Sequence, residues 1–265
     1  TDGQGRAAAV SAPAACPPAT DDVCPATADA ARPTAGALAR VFLGLLAVGV
    51  AMVLGVYLLQ VLSGTRAPLG EALDLWRSTD GAHYLDIARD GYLTSGEWGR
   101  LVQLVFLPGY PLAIRAMGLV VSNELYAAML TSLLCFAGGG AVLYRLLWAE
   151  GGRDCALRGV RYLCLMPGAF FLVAPLSESL FLLLSASCLY ALRRRRFLTA
   201  GLLGALAAFT RSTGLVLLVP ALWEAARALR ATPPGTRPRL PRALRRPGCL
   251  RRYAPLAAAL LIPLG

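Results

Sequence analysis

The chain has 265 residues, 57% of them hydrophobic, and a mean hydropathy of +0.58. This composition, with several apolar runs of ~20 residues, is typical of an integral membrane protein and excludes an ordinary soluble domain. The formal net charge of +11 comes from arginine alone, because the sequence contains no lysine. The arginines cluster in loops beside apolar runs, so retention of positive charge on the cytoplasmic side explains them better than nucleic-acid binding.

The chain begins with a segment that lacks any periodic pattern. Residues 1–35 are rich in alanine, proline, threonine and aspartate, which predicts a disordered tail. Cys16 and Cys24 in this tail could pair, but nothing around them indicates a metal site. The apolar run over residues 36–62 predicts the first membrane helix, and it opens a transmembrane domain that we expect to cover residues 36–265.

A short helix in the first external loop, residues 63–103, is the element around which we expect the chain to be organised. Asp80 is a natural helix cap, and Gly91 tolerates the left-handed conformation that often ends a helix. The roughly ten residues between them are far too few to cross a membrane. Tyr84 and Ile87 fall on one apolar face. The pattern predicts a helix on the membrane surface, with the Asp80 carboxylate facing water or a cleft.

The next apolar segment, residues 104–121, is interrupted by prolines. Pro108, Gly109 and Pro111 predict a turn at the membrane surface that leads into a partly inserted segment.

Further spans are predicted from residue 125 to residue 192. Residues 125–148 form a clear span, and the arginine-bearing residues 150–161 are expected to be cytoplasmic. Residues 162–174 then return outward and residues 180–192 come back, so that the turn between them places Glu178 at the outer surface.

Residues 197–223 are apolar but broken in the middle, at residues 210–214. As a single span they would place the following loop, residues 224–252, outside, although it carries nine arginines and one glutamate. A re-entrant hairpin of two half-helices would return that loop to the cytoplasm and lift Arg211 towards the outer face. An arginine at membrane depth is a functional-site hypothesis by default. The apolar run over residues 255–265 leads us to expect a C-terminally truncated bundle.

Three stretches occur in series along the chain: TDGAHYLDIARDGY, FLPGYPLAIR, and PLSESLF followed by RRRRFLTAGLLGALAAFTRSTGLVLLVP. Together, over roughly residues 38–225, they resemble the PIG-V-like mannosyltransferases, the eukaryotic GPI mannosyltransferase 2 group and its bacterial relatives. The chain departs from the family pattern in two places. Thr79 precedes Asp80 where the family usually has tryptophan, and Leu107 and Gly109 replace phenylalanine and leucine in its Phe-Phe-Pro-Leu-Tyr-Pro turn.

The resemblance implies an all-α polytopic membrane protein with a GT-C glycosyltransferase-like transmembrane bundle and surface helices in the first external loop. It also implies an inverting transfer of mannose, on the external face of a bacterial plasma membrane, from a polyprenyl-phosphate donor to an unidentified acceptor. By resemblance, Asp80 matches the loop carboxylate that is placed to act as the base. A positioned carboxylate can take the proton of a sugar hydroxyl as the new bond forms; the alternative is that Asp80 only caps a helix.

Six further residues are candidates for substrate binding. Arg211 would stabilise the developing phosphate charge, or else it satisfies carbonyls of a broken helix. Glu178 would orient hydroxyls or pair with Arg211, unless it belongs to a solvated turn. The remaining candidates each have an ordinary structural alternative, as a surface contact, an interfacial aromatic or a helix-end charge; they are His83, Tyr84, Tyr110 and Arg115.

The sequence contains no motif for a bound nucleotide or metal. It has no dinucleotide fingerprint, no P-loop, no Cys/His ligand set and no Asp-x-Asp pair in the first loop, so no cofactor and no obligatory metal are expected. Two other functions stay open: a related enzyme that transfers another lipid-linked sugar, such as a pentose, and a non-catalytic envelope protein or transporter. A transporter should show paired broken helices in two repeats, and the sequence shows no clear repeat.

Overall fold

The computed structural model describes residues 32–64, 68–78, 80–92 and 98–230. Residues 1–31 of the predicted tail, with Cys16 and Cys24, and residues 231–252 of the predicted basic loop lie outside the described residues. Within these ranges the chain forms helices and no strand. The helices are α1 Ala35–Leu62, α2 Leu69–Leu73, α3 Gly81–Asp90, α4 Gly109–Gly118, α5 Glu124–Leu165, α6 Glu178–Arg193, α7 Phe197–Thr210 and α8 Leu218–Arg230. Short 3-10 segments cover Asp74–Ser78, Trp98–Val105, Ala169–Leu172 and Ser212–Leu217.

Two of the described helices, α1 and α5, are long and apolar enough to cross a membrane. Helix α1 confirms the first predicted span: its 28 residues are about 42 Å long at 1.5 Å per residue. The helix begins directly after Thr34, whose side chain accepts a hydrogen bond from the N–H of Ala37. Most of its surface is exposed, as expected for a helix with lipid rather than protein around it.

Helix α5 is sharply kinked, and its second half runs back along the first. Gly151 and Gly152 leave helical geometry, and Gly152 has a φ of 73° that favours glycine. Gly159 touches Leu147 so closely that no side chain would fit there. Two glycines therefore make the reversal, and the arginines of residues 150–161 lie on the exposed face of a helix. The cytoplasmic placement of this segment stays a prediction.

The remaining long helices complete a bundle. Gly139 of α5 packs against Leu183 of α6, and further along the same pair of helices the Arg145 guanidinium lies 5.0 Å from the Tyr190 ring centre. The first half of α5 therefore runs parallel to helix α6. In the chain, the second half of α5 connects them and runs in the opposite direction. At the far end of this pair, Arg193 forms an ion pair with Glu150.

The predicted break in the segment 197–223 is present, and the chain doubles back there. Helix α7 ends at Thr210, Arg211 is extended with φ −147° and ψ 136°, and a 3-10 segment leads into α8. A Cβ on Gly214 would lie 2.6 Å from the carbonyl carbon of Ala207, so the returning backbone rests directly on α7. This contact produces the hairpin geometry that the basic loop required.

The membrane orientation of this hairpin is a prediction that labelling can test. In a cysteine-free background, Arg195→Cys and Arg239→Cys should both react with a membrane-impermeant thiol reagent only after the membrane is opened, because both positions lie in arginine-rich loops. Asp90→Cys on α3 should react from outside in intact cells and serves as the control. Labelling of Arg239→Cys from outside in intact cells would rule out the re-entrant arrangement.

Helix α3 lies against α4, the start of α5 and the turn before α6. The predicted apolar face of α3 is confirmed, since Tyr84, Ile87 and Ala88 are buried. Gly91 ends the helix with a φ of 78°, as its position predicts. One hydrophobic cluster joins these elements; it includes Trp76, Tyr84, Leu85, Tyr110, Ile114, Leu125, Ala128, Ala174 and Leu176. The first-loop helix is thus a rigid part of the bundle.

Candidate functional site

Three of the predicted site residues meet around one buried serine. The Tyr84 hydroxyl donates a hydrogen bond to Ser177 Oγ at 2.9 Å, and Arg211 Nη1 donates to the same oxygen at 3.1 Å. Arg211 Nη1 also lies 2.5 Å from Glu178 Oε1. These side chains come from α3, from the start of α6 and from the break after α7. The hydrogen bond between Tyr84 and Ser177 alone joins residues that are 93 positions apart in the chain.

Close backbone contacts bring these elements together. A Cβ on Gly81 would lie 2.7 Å from the Trp76 carbonyl oxygen and 3.1 Å from Pro175 Cγ, so only glycine lets α3 approach the turn before Ser177. At the other side, a Cβ on Gly109 would lie 2.9 Å from both the Phe209 carbonyl oxygen and Thr210 Cα. The start of α4 is therefore wedged against the break that carries Arg211. The three stretches that were singled out in the sequence converge on one place.

Asp80 directly precedes α3, at the N-cap position of the helix. Its side chain makes no capping hydrogen bond, and its backbone is helical at φ −50° and ψ −20°. The expectation that Asp80 caps the helix through its carboxylate is wrong, because a side-chain cap needs an extended backbone at that position. The residue is exposed, and its carboxylate is not engaged by the helix N-terminus.

Asp80 lies one helical turn before Tyr84, whose N–H bonds to the Asp80 carbonyl oxygen, and the charges around the Tyr84 hydroxyl affect its pKa. Burial raises the pKa of the Tyr84 hydroxyl above its ordinary value, and the negative charges of Glu178 and Asp80 act in the same direction. The hydrogen bond with Ser177 and the charge of Arg211 oppose this shift of the pKa. Tyr84 is therefore protonated at neutral pH and serves as a neutral donor between the two carboxylates and the cation.

Arg211 and Glu178 are each engaged on one side only. Among the described residues, both contacts of the guanidinium use Nη1. Because a guanidinium has five N–H donors in a planar fork, its Nε and Nη2 donors are left for an anion. On Glu178, Oε2 is buried and has no hydrogen-bond partner among the described residues. A buried carboxylate oxygen without a partner is costly, and a hydroxyl group of a ligand would satisfy it.

The other three predicted residues occupy different surroundings. His83 directly precedes Tyr84 on α3 and borders the cluster. Its ring centre lies 5.0 Å from the ring centre of Phe106. Tyr110 is fully buried, with its hydroxyl 2.7 Å from Ser132 Oγ. Arg115 donates to the Ala88 carbonyl at the opposite end of α3, where a positive charge stabilises the helix C-terminus. In the structure Tyr110 makes packing contacts and Arg115 contacts the C-terminal end of α3, and their contacts with a substrate stay predictions.

The remaining acids of α3 point away from the cluster. Arg89 lies 3.5 Å from Asp86 and 3.1 Å from Asp90, in exposed ion pairs on the solvated face. Among the described residues, no group of three His, Cys, Asp or Glu side chains is placed to hold a metal ion.

Two members of the site were not identified from the sequence. Ser177 is the centre of the cluster and has no exposed surface, but the sequence does not predict a site role for it. Phe106 lies beside both His83 and Tyr84, with each pair of ring centres 5.0 Å apart. Both residues belong to stretches that were singled out, but no local pattern distinguishes a buried serine that binds two partners from one that caps a helix.

Comparisons with known proteins point to one family. A family model described as Mannosyltransferase (PIG-V) matches residues 69–225, which include Asp80, Glu178 and Arg211. The GPI alpha-1,6-mannosyltransferase 2 of Mus musculus is 35% identical over 152 residues, and that of Homo sapiens is 33% identical over 153 residues. Each match covers 52% of this chain and 29% of the relative, so the chain spans less than a third of the relatives' length. No solved structure gives a significant match.

Proposed function

The chain belongs to the PIG-V mannosyltransferase family, and from this premise we propose that it is part of an integral membrane enzyme that transfers mannose from a polyprenyl-phosphate-linked donor. The acceptor is a lipid, glycan or protein of a bacterial envelope, and the reaction takes place on the external face of the plasma membrane. The observation that carries this proposal is the contact of Arg211 with Glu178 and Ser177, and of Ser177 with Tyr84, one helical turn after Asp80.

Asp80 is the proposed general base. Its carboxylate takes the proton of the acceptor hydroxyl while the hydroxyl oxygen forms a bond to C1 of the mannosyl group. The bond from C1 to the phosphate oxygen breaks on the opposite face of the sugar, so the configuration at C1 inverts. The exposed position of Asp80 and the absence of a capping hydrogen bond keep the carboxylate accessible to an incoming hydroxyl.

Arg211 is the proposed contact for the leaving group. The electron pair of the broken bond stays on the polyprenyl phosphate, which departs as a stable anion and needs no strong acid. The contacts of Arg211 with Ser177 and Glu178 do not use its Nε and Nη2 donors. These donors would stabilise the negative charge as it develops on the phosphate. No cofactor is needed to balance this reaction. Activity in the presence of a chelator would agree with a metal-independent step.

Glu178 is the proposed contact for sugar hydroxyls. Its Oε1 binds Arg211, while its buried Oε2 lacks a partner among the described residues and can accept from a hydroxyl of the donor or the acceptor. His83, at the border of the site, is a second candidate for such a contact.

The proposal is tested with membranes that carry or lack the full-length protein. Radiolabelled polyprenyl-phosphate mannose is supplied, and the transferred label is followed into lipid, glycan and protein fractions. We expect label transfer only when the protein is present, and an anomeric configuration opposite to that of the donor. Transfer from a polyprenyl-phosphate pentose instead would favour the related enzyme. Movement of the intact donor across the membrane without any glycosylated product would favour the transporter and overturn the proposal.

Glu178 provides a separate prediction. Glu178→Gln should reduce turnover by about 10-fold or more, because the amide that replaces the carboxylate has no charged acceptor at the buried Oε2 position. Expression and membrane insertion should be unchanged. The matched control is Glu150→Gln, which removes the charge of another arginine-paired glutamate, on α5 opposite the far end of α6. Equal turnover of Glu178→Gln and wild type would leave Glu178 as a turn residue.

A further inference from the structure

The geometry points to Ser177 as a positioning residue, which sets the orientation of Arg211 relative to the helix that carries Asp80. The inference rests on the proposed function for its catalytic meaning, but the contacts that support it are independent of any substrate. Ser177 would not touch the reacting atoms, and it would act through Arg211 and Tyr84.

The hydroxyl of Ser177 does not make the helix-capping hydrogen bond that its position in the chain predicts. Ser177 occupies the N-cap position of α6, where serine is preferred because its oxygen can accept a hydrogen bond from the first helical turn. Here the side chain makes no such bond. Instead, the oxygen accepts from Tyr84 Oη and Arg211 Nη1, so both of its acceptor positions are used. The side chain has no exposed surface; its bond with Tyr84 is buried, and its bond with Arg211 is part-buried.

These two bonds connect the proposed base to the proposed anion site. The N–H of Tyr84 bonds to the carbonyl oxygen of Asp80, one helical turn earlier, so the two residues move as one rigid unit of α3. Ser177 links that unit to Arg211. Ser177 and Glu178 both contact Nη1 of the Arg211 guanidinium. These two contacts fix the orientation of the planar group and leave its Nε and Nη2 donors free of contacts with the described residues. Loss of the hydroxyl would allow the guanidinium to rotate about its single contact with Glu178.

Ser179 provides a matched control two residues away. It is also a serine without exposed surface at the start of α6, but its Oγ has no hydrogen-bond partner among the described residues. Removal of either hydroxyl deletes the same atoms from the same helical turn. Only Ser177→Ala removes contacts with Tyr84 and Arg211.

The first measurement is the kinetics of mannose transfer by the full-length protein in membranes. Ser177→Ala should lower kcat by about 10- to 100-fold, as expected when a catalytic group is misplaced, while KM for the donor changes by less than about threefold. Ser179→Ala should retain wild-type values of both constants. Ser177→Cys fills the same space with a weak acceptor and should resemble Ser177→Ala, which separates lost hydrogen bonds from lost packing. Addition of Tyr84→Phe to Ser177→Ala should cause little further loss, because both changes break the same connection.

The second measurement does not depend on turnover. The rate at which phenylglyoxal modifies Arg211, followed by mass spectrometry of the peptide, reports how firmly the guanidinium is held. It should rise about threefold or more in Ser177→Ala and Ser177→Cys and stay unchanged in Ser179→Ala. If the wild-type protein transfers no mannose, the proposed function fails, but this rate still decides the role of Ser177. An Arg211 modification rate in both Ser177 variants equal to that of Ser179→Ala would overturn the inference.

Discussion

Replacement of Asp80 by asparagine should reduce mannose transfer by about 10²- to 10⁴-fold, the usual loss when a general base is removed. Asparagine keeps the size of the side chain but has no negative charge to accept the proton. The helix should be unaffected, since the carboxylate makes no capping hydrogen bond. The measurement is transfer from radiolabelled polyprenyl-phosphate mannose, together with binding of polyprenyl monophosphate, which Asp80→Asn should retain because that contact is assigned to Arg211.

The matched control for Asp80→Asn lies on the same helix. Asp86→Asn removes a carboxylate that pairs with Arg89 on the solvated face, and it should transfer mannose at the wild-type rate. Because Asp80 has no capping bond to lose, Asp80→Ala should behave like Asp80→Asn in both activity and stability. If Asp80→Asn transfers as fast as wild type, the base is another group and the enzymatic assignment of this residue is wrong.

Replacement of Arg211 by glutamine should show a different pattern, with weaker donor binding as well as slower transfer. Removal of one donor that stabilises developing negative charge typically lowers kcat by about 10²- to 10³-fold. Lysine in place of arginine should restore only part of the activity, because a single ammonium group cannot bind Ser177, Glu178 and a phosphate in a planar fork. Both variants are compared by the dissociation constant for polyprenyl monophosphate and by kcat.

Two further variants separate the effect of Arg211 from that of its partner. Arg211→Gln leaves the Glu178 carboxylate without its cation, so the double variant Arg211→Gln, Glu178→Gln shows whether an unpaired buried charge causes the loss. Arg193→Gln breaks an equivalent ion pair, with Glu150, at the other end of α6 and should leave transfer unchanged. Wild-type affinity of Arg211→Gln for polyprenyl monophosphate would exclude Arg211 from the phosphate site.

Several elements of the fold were predictable because their signals are local. The first membrane helix follows from an apolar run whose length matches a bilayer. Helix α3 follows from its apolar spacing and from Gly91, whose positive φ ends the helix. The break after Thr210 follows from a short polar run within an apolar segment, where charge rules require the chain to return. Each of these properties can be read from fewer than about 30 consecutive residues.

Other features depended on contacts that no local pattern contains. The arginines of residues 150–161 are typical of a loop, yet they lie on the exposed side of a helix because Gly151 and Gly152 complete the turn by themselves. Arg115 resembled an arginine at membrane depth, but the end of α3 lies within its reach and takes up its donors. Tyr110 resembled an interfacial aromatic, but the approach of α5 buries it completely.

The sequence by itself determined that this is a helical membrane protein of the PIG-V family, and it identified Asp80, Glu178 and Arg211 as the residues to examine. Hydrophobic length, helix-ending glycine and motif order are properties of neighbouring residues, so they do not require a folded chain. Only the tertiary structure decided that Arg211 and Tyr84 meet at Ser177, beside Glu178, through hydrogen bonds between residues that are 34 and 93 positions apart. Such bonds form because Gly81, Gly109 and Gly214 let backbones approach closely, and which backbones meet is settled only when the whole bundle packs.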